Sequence, residues 1–281
     1  VDHRSGAQIL LSTSARRDAI EECGGLQSRK AEMSMSTAVM MDRMVEASPR
    51  LTARMTGVLY LLSIVSGVVA VFFVDGTLVI DGDAAATATN ILRHETLFQL
   101  SFASFLIGVV CYVAVTALLY SLLRPVNRTL SLLAAFFSLE GCAMWAVGSL
   151  FQLAPLVILG GEGSLHGFTV EQVQALALTL LDWNAQALSI GIVFFGFYCL
   201  LLGYLIVRST FLPRLVGVLL ALTGVAYLTY LYPPLEHALA PYLQVPGLLG
   251  EGALTLCLLV VGVNANRWQE QARAAGASLR M

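Results

Sequence analysis

Two glutamates stand inside stretches that are otherwise apolar, and they are the side chains best placed to do chemistry. Glu140 lies near the middle of the run 130–159, and Glu251 lies near the start of the run 246–263. An ionisable group in a bilayer's hydrocarbon core costs roughly 2.5–3.5 kcal/mol even on the lenient insertion scale, so it persists where it has a partner or a task. Such carboxyls carry proton relays in pumps and transporters, and they also serve as plain interhelical hydrogen bonds. A second set of titratable groups gathers in three connecting segments: His94 and Glu95, His166, Asp182, and Glu236 with His237. Imidazole and carboxylate suit a metal such as zinc. The set that could act together at one face is His94, Glu95, Asp182 and His237. Their spacing contains no H-E-x-x-H motif and no paired histidines on one helix face, so no metal is expected. Nor does a P-loop, a dinucleotide fingerprint or a G-x-S-x-G elbow occur in a credible context, so no cofactor is expected.

The elements that must position these groups are six apolar runs: 56–74, 97–123, 130–159, 184–207, 212–231 and 246–263. A helix needs about 20 apolar residues to cross the hydrocarbon core. Hydrophobic residues make up 57% of the chain and charged residues 12%, against about 25% charged in a soluble domain. That surplus of apolar surface can be hidden only in lipid. The fold class expected is therefore all-α, a polytopic transmembrane bundle of six spans. A net charge of −2 and the lack of a dense basic run argue against nucleic acid as a partner. Four of the five cysteines (Cys111, Cys142, Cys199 and Cys257) fall in four different apolar runs, and Cys23 lies in the polar N-terminal stretch. That distribution implies buried small hydrophobes, not a disulfide framework.

Three regions are expected: a disordered polar segment over 1–49, a six-span membrane domain over 50–271, and a cytoplasmic tail over 272–281. Met33, Met35, Met40 and Met41 suggest that translation starts at one of them and that the residues before it are an over-extended reading frame. Lys and Arg accumulate in cytoplasmic loops. Arg50 and Arg54 precede the first run, Arg124 and Arg128 join the second to the third, and Arg208 and Arg214 join the fourth to the fifth. Arg267, Arg273 and Arg280 follow the sixth. The other three connections hold one basic residue, Arg93, against Asp75, Asp81, Asp83, Glu95, Glu162, Glu171, Asp182 and Glu236. Both termini are therefore expected inside. Asp83 can cap a short helix through the Ala-rich segment 84–93, and Thr169 with Gln172 has the spacing of a capping box. A helix from there to Val207 would be about 57 Å long, so a bend near 182–184 is expected, with 170–182 lying at the outer interface.

In lipid, spans associate through small residues and hydrogen bonds. Spacings of three, four and seven put Ser101, Ser104, Gly108 and Cys111 on one face of the second run, and Ser131, Ser138, Cys142, Ser149 and Gln152 on one face of the third. The fourth has Ser189, Gly196, Cys199 and Gly203. The fifth has Gly217, Ala221 and Gly224, and the sixth has Gly247, Glu251, Thr255 and Gly262. Glu251 thus faces the bundle interior, where Gln152 or a tyrosine hydroxyl could bond it. Glu140 shares its face with Leu133, Phe137, Met144 and Phe151. Either another helix meets it or it marks a contact with a second copy or another membrane protein. Pro155 and Pro246 fall near span ends, which counts against helices broken at the midplane.

Several stretches resemble the uncharacterised bacterial membrane family catalogued as domain of unknown function 4386. The most telling is Phe194-Phe-Gly-Phe-Tyr-Cys-Leu-Leu-Leu-Gly-Tyr-Leu-Ile-Val-Arg-Ser209, followed by Leu212-Pro-Arg-Leu-Val-Gly217. Gly262-Val-Asn-Ala-Asn-Arg-Trp268, Asn90-Ile-Leu-Arg-His-Glu-Thr-Leu-Phe98 and Leu123-Arg-Pro-Val-Asn-Arg128 add to it. The likeness runs from about residue 50 to about residue 271. It implies a six-span bacterial inner-membrane protein with the lipid bilayer as its partner, and it supplies no catalytic residues. Glu251, within Leu249-Gly-Glu-Gly-Ala253, stands at a position that looks typical of the family. The resemblance also implies acidic residues in the second span, where this chain has Ser104 and Tyr112. The functional expectation is a multi-pass membrane protein of structural, accessory or small-molecule-handling role, not an enzyme. The alternatives are a proton-linked transporter using Glu251 and Glu140, and a membrane-embedded enzyme with an outer-face site.

Overall fold

The computed structural model describes residues 48–74, 77–80, 82–160 and 167–278. The expectations for Cys23, for an early methionine start and for His166 lie outside the described residues, as does the side chain of His237. Every regular element among the described residues is helical: α1 (Pro49–Val74), α2 (Ala84–Arg93), α3 (Glu95–Leu123), α4 (Arg128–Leu159), α5 (Val170–Arg208), α6 (Arg214–Tyr227), α7 (Pro233–Leu256) and α8 (Ala265–Ser278). A 3₁₀ turn, Leu228–Leu231, extends α6, and a π turn, Cys257–Val261, extends α7. Five helices are long and apolar enough to cross a bilayer, and Val245–Val261 makes a sixth if its sharp bend into α8 ends that span. The long helices pack in a closed ring. α1 meets α3, α3 meets α4, α4 meets α5, α5 meets α6, α6 meets α7, and α7 with its π turn returns to α1. Outward-facing Val110, Leu150, Leu222 and Val260 are exposed, as a lipid-solvated bundle requires.

Local chemistry starts these helices where the sequence says it should. The Asp83 carboxylate accepts the Ala86 N–H at 2.9 Å and opens α2. Thr169 and Gln172 form the reciprocal capping box of α5, at 3.3 and 2.9 Å. The Asn127 side chain accepts the Leu130 N–H at 3.0 Å and opens α4. The expected bend at 182–184 does not interrupt α5, which is one helix of 39 residues. Its outer end is covered by α2 and by the segment before it, where Leu181 packs with Leu78, Ile91 and Phe98. That apolar cap buries Leu181 within the protein itself.

The apolar stretch of the last span, Val245–Val261, is close to the expected run, but the helix that carries it starts earlier. α7 begins at Pro233, because proline is tolerated in the first helical turn. Pro246 therefore lies inside α7, about one turn before Glu251, where its missing N–H interrupts the hydrogen-bond ladder. At the other end the Gly262 N–H closes the π turn on the Cys257 carbonyl at 2.8 Å. Gly262 then takes φ +68°, a conformation that favours glycine, and the chain turns by 107° into α8. Side-chain hydrogen bonds hold α8 to the bundle. Trp268 donates its indole N–H to the Leu122 carbonyl at 2.9 Å, Gln271 accepts from Thr210, and Arg267 donates to the Thr210 carbonyl at 3.3 Å. The helix runs across residue 271, so the expected tail is helical as far as Ser278.

Small residues set the closest approaches. A Cβ on Gly203 would stand 2.6 Å from the Gly217 carbonyl, and one on Gly217 would stand 2.7 Å from the Gly203 carbonyl. Gly196 and Gly224 repeat that reciprocal contact two turns away. Between α1 and α3, Ser63 donates to the Gly108 carbonyl at 2.8 Å and Ser104 donates to the Ser66 carbonyl at 3.2 Å. In α4, Ser138 shares a 2.6 Å hydrogen bond with Thr116 of α3. These stripes are packing surfaces, as their spacing predicts.

Candidate functional site

Glu251 sits on the inner side of α7, half-buried, and its carboxylate accepts the Tyr227 hydroxyl at 3.2 Å. Of the two partners the sequence offered, the tyrosine is the one that bonds it. Tyr227 ends α6, and the α6–α7 hairpin is built to deliver it. One turn earlier, Thr223 donates to the Pro246 carbonyl at 2.6 Å, which fixes the register of the two helices. Gly247 and Gly250 leave the room. A Cβ on Gly247 would collide with the Tyr227 hydroxyl, and one on Gly250 would collide with Thr223 Oγ1.

A second tyrosine reaches the same carboxylate from across the ring. Tyr60 of α1 approaches Glu251 and shares a 3.1 Å hydroxyl–hydroxyl bond with Tyr112 of α3. A tyrosine hydroxyl both donates and accepts, so Tyr227–Glu251 and Tyr60–Tyr112 are two hydrogen-bonded pairs with exchangeable protons, drawn from four helices. Tyr112 also packs edge-on against Phe195 and Tyr198 of α5, at ring separations of 4.9 and 6.3 Å. Trp145 of α4 completes the aromatic wall, 4.5 Å from Phe195. Gly141 and Gly191 accommodate those two large rings. The Tyr198 hydroxyl is fully buried and finds no hydrogen-bond partner among the described residues, a costly arrangement for a polar group. It stands close enough to Glu251 to feel the carboxylate's charge, as do Tyr60, Tyr112 and Cys199. Among the described residues the bundle interior thus holds one carboxyl and a set of hydroxyls gathered around it.

The other sequence candidates sit elsewhere. Glu140 is exposed on the outer surface of α4, beside exposed Leu133 and Phe136, while Phe137 stacks on Phe197 of α5. None of the helices described here covers it. His94 joins α2 to α3 and is exposed, and Glu95 accepts a hydrogen bond from Gln99 at 3.0 Å. Asp182 is exposed at the same end of the bundle, next to Leu181, which packs against Ile91 and Phe98 on either side of His94. Among the described residues no three His, Cys, Asp or Glu side chains converge on a point that could hold a metal ion. Cys142, Cys199 and Cys257 are buried free thiols.

Sequence reasoning offers a tyrosine hydroxyl as a partner of the carboxyl without saying which; it does not single out Tyr227 or Tyr60, nor the buried Tyr198 hydroxyl nearby. Their signal was available: Tyr60 and Tyr198 are hydroxyl-bearing aromatics well inside apolar runs, away from the interface belts where tyrosine normally gathers.

The family described as Domain of unknown function (DUF4386) matches residues 55–262. The chain belongs to the DUF4386 family. The matched region takes in all of the tyrosine–glutamate cluster and stops at Gly262, so α8 lies beyond it. A relative, an uncharacterized protein of Archaeoglobus fulgidus, is 27% identical over 128 residues, which cover 46% of this chain and 63% of that protein. The chain therefore spans less than two thirds of the relative's length. No solved structure matches this DUF4386 chain.

Proposed function

We propose that this DUF4386 protein is a proton-linked membrane protein that moves or handles a small solute, with Glu251 as its titrating group. The supporting observation is the placement of that single carboxyl in the ring's interior, bonded to Tyr227 and approached by the Tyr60–Tyr112 pair. An intramembrane carboxyl with hydroxyl partners can take up and release a proton without leaving the protein. Pro246, one turn away, breaks the ladder of the helix that carries it, which supplies a local point of movement. The protein is further proposed to reside in a bacterial inner membrane with both termini cytoplasmic. The arginines of the α3–α4 and α5–α6 connections share one end of the ring with α8, and basic loops stay on the cytoplasmic side. A reporter fused after Arg273 should be active only inside the cell, and activity only outside it would reverse the orientation.

The central test is proton flux in proteoliposomes carrying the purified full chain, driven by a pH gradient. Glu251→Gln keeps an acceptor for Tyr227 but removes the titration, and flux should fall at least tenfold to the protein-free leak. Flux equal to wild type in that variant would sink the proton role. A second reading rests on the tight fit at Gly247 and Gly250, which suits a fixed interhelical tie in a structural or accessory protein. Under that reading the wild-type protein itself shows no flux above the leak.

A further inference from the structure

A cavity of about 410 Å³ opens at the end of the ring opposite the α2 cap, lined by Val126, Asn127, Tyr204, Val207, Arg208, Arg214 and Gln271. That volume falls in the range of small-ligand sites, roughly 300–1,000 Å³. Four elements shape it. The α3–α4 turn contributes Asn127, the end of α5 contributes Tyr204 and Arg208, the start of α6 contributes Arg214, and α8 contributes Gln271.

The polar groups of this cavity present donors. Gln271 uses its side-chain oxygen twice, accepting the Thr210 N–H at 3.1 Å and the Thr210 hydroxyl at 2.9 Å. Its amide N–H₂ is what remains. Asn127 uses its side-chain oxygen to accept the Leu130 N–H at 3.0 Å, which again leaves the N–H₂. Both orientations are fixed by chemistry, since a backbone N–H can bond only to the oxygen of the amide. Arg208 and Arg214 add two guanidinium groups, each a planar fork of donors with no acceptor. Neither is ion-paired with a carboxylate among the described residues. Arg214 also opens α6, whose first turn has no side-chain cap, so the positive end of that helix lies at the cavity's edge. Tyr204, half-exposed, supplies a hydroxyl at the rim.

We infer that this cavity binds a phosphate group, clamped between Arg208 and Arg214 and bonded by the amides of Asn127 and Gln271. A guanidinium pairs with phosphate through two parallel hydrogen bonds, a geometry that a passing chloride cannot use. The phosphate can belong to a lipid headgroup, because the cavity lies where the spans end, or to a soluble phosphate ester. The inference is independent of Glu251, which sits on another part of the ring.

The test uses the purified full chain in detergent, with binding read by native mass spectrometry and by thermal shift. The probes are phosphatidylglycerol and inorganic phosphate, each titrated against wild type, Arg208→Gln, Arg214→Gln, the double variant, and Arg93→Gln as an exposed arginine outside the cavity. Wild type and Arg93→Gln should bind at least one probe saturably. Each single variant should weaken that binding several-fold and the double variant at least tenfold. Saturable phosphatidylglycerol binding that inorganic phosphate does not displace assigns a lipid headgroup, and displacement by millimolar phosphate assigns a soluble ester. Absence of saturable binding to either probe overturns the inference. Binding that both single variants retain at wild-type strength overturns it as well, even if the double variant does not fold.

Discussion

Gly217→Leu should lower the stability of the bundle by about 3 kcal/mol or more, the largest effect of any single substitution in the ring. Overpacking a well-filled core ordinarily costs about 1–3 kcal/mol, because side chains and backbone shift to make room. Here the obstacle is backbone. A Cβ at 217 would stand 2.7 Å from the Gly203 carbonyl and 2.9 Å from the Val207 N–H nitrogen. Neither can rotate away, so α5 and α6 would have to separate along their length. Separation would also loosen the Gly196–Gly224 contact two turns on, and with it the position of Tyr227 at the end of α6. Gly252→Leu is the control. It lies next to Glu251 on α7 with nothing within 4 Å of its Cβ position, and it should cost little, since leucine is also the better helix former. Equilibrium unfolding in mixed micelles, followed by circular dichroism, reads both. Equal stability of Gly217→Leu and wild type would mean that α5 and α6 are not in the contact described.

Much of this arrangement can be read without coordinates. Period and spacing place Gly203, Gly217 and Gly224 on inner faces because a helix in lipid has only two environments, a neighbour or the acyl chains. The same reasoning puts Glu251 inside and singles out Glu140 as off the stripe, and the exposed position of Glu140 agrees. What periodicity cannot say is which inner face meets which. Tyr60 precedes Glu251 by most of the chain, and only closure of the ring from α7 back to α1 brings them together. Hydropathy places the last span at 246–263, close to the apolar stretch Val245–Val261, but it does not show that the helix carrying the span already starts at Pro233. Bilayer thickness alone says nothing of what covers the outer part of α5, and the packing of α2 over Leu181 is not visible to that argument.

The glutamate–tyrosine pair should show opposite responses in stability and in flux. Tyr227→Phe removes the donor and leaves a carboxyl in the ring without its 3.2 Å partner, so stability should fall by about 1–3 kcal/mol, the cost of stranding a buried polar group. Glu251→Gln keeps an amide oxygen facing the tyrosine, and its stability should stay within about 0.5 kcal/mol of wild type. Glu251→Leu strands the Tyr227 hydroxyl instead and should also lose stability. The double variant Tyr227→Phe with Glu251→Leu removes both polar ends together, so its loss should be smaller than the sum of the two single losses, by about 0.5–3 kcal/mol of coupling. Flux should rank the other way. Tyr227→Phe retains the titrating carboxyl and its approach from Tyr60, and it should keep measurable proton movement, whereas the stable Glu251→Gln variant should have none. Gly247→Ala offers a route to the same defect without touching either partner, because its added methyl occupies the place of the tyrosine hydroxyl. It should reproduce the stability loss of Tyr227→Phe. If the wild type itself shows no flux above the leak while these variants still rank in stability as described, the carboxyl is a structural tie. A stable Glu251→Gln variant that loses a proton movement the wild type has is the result that a tie alone cannot produce.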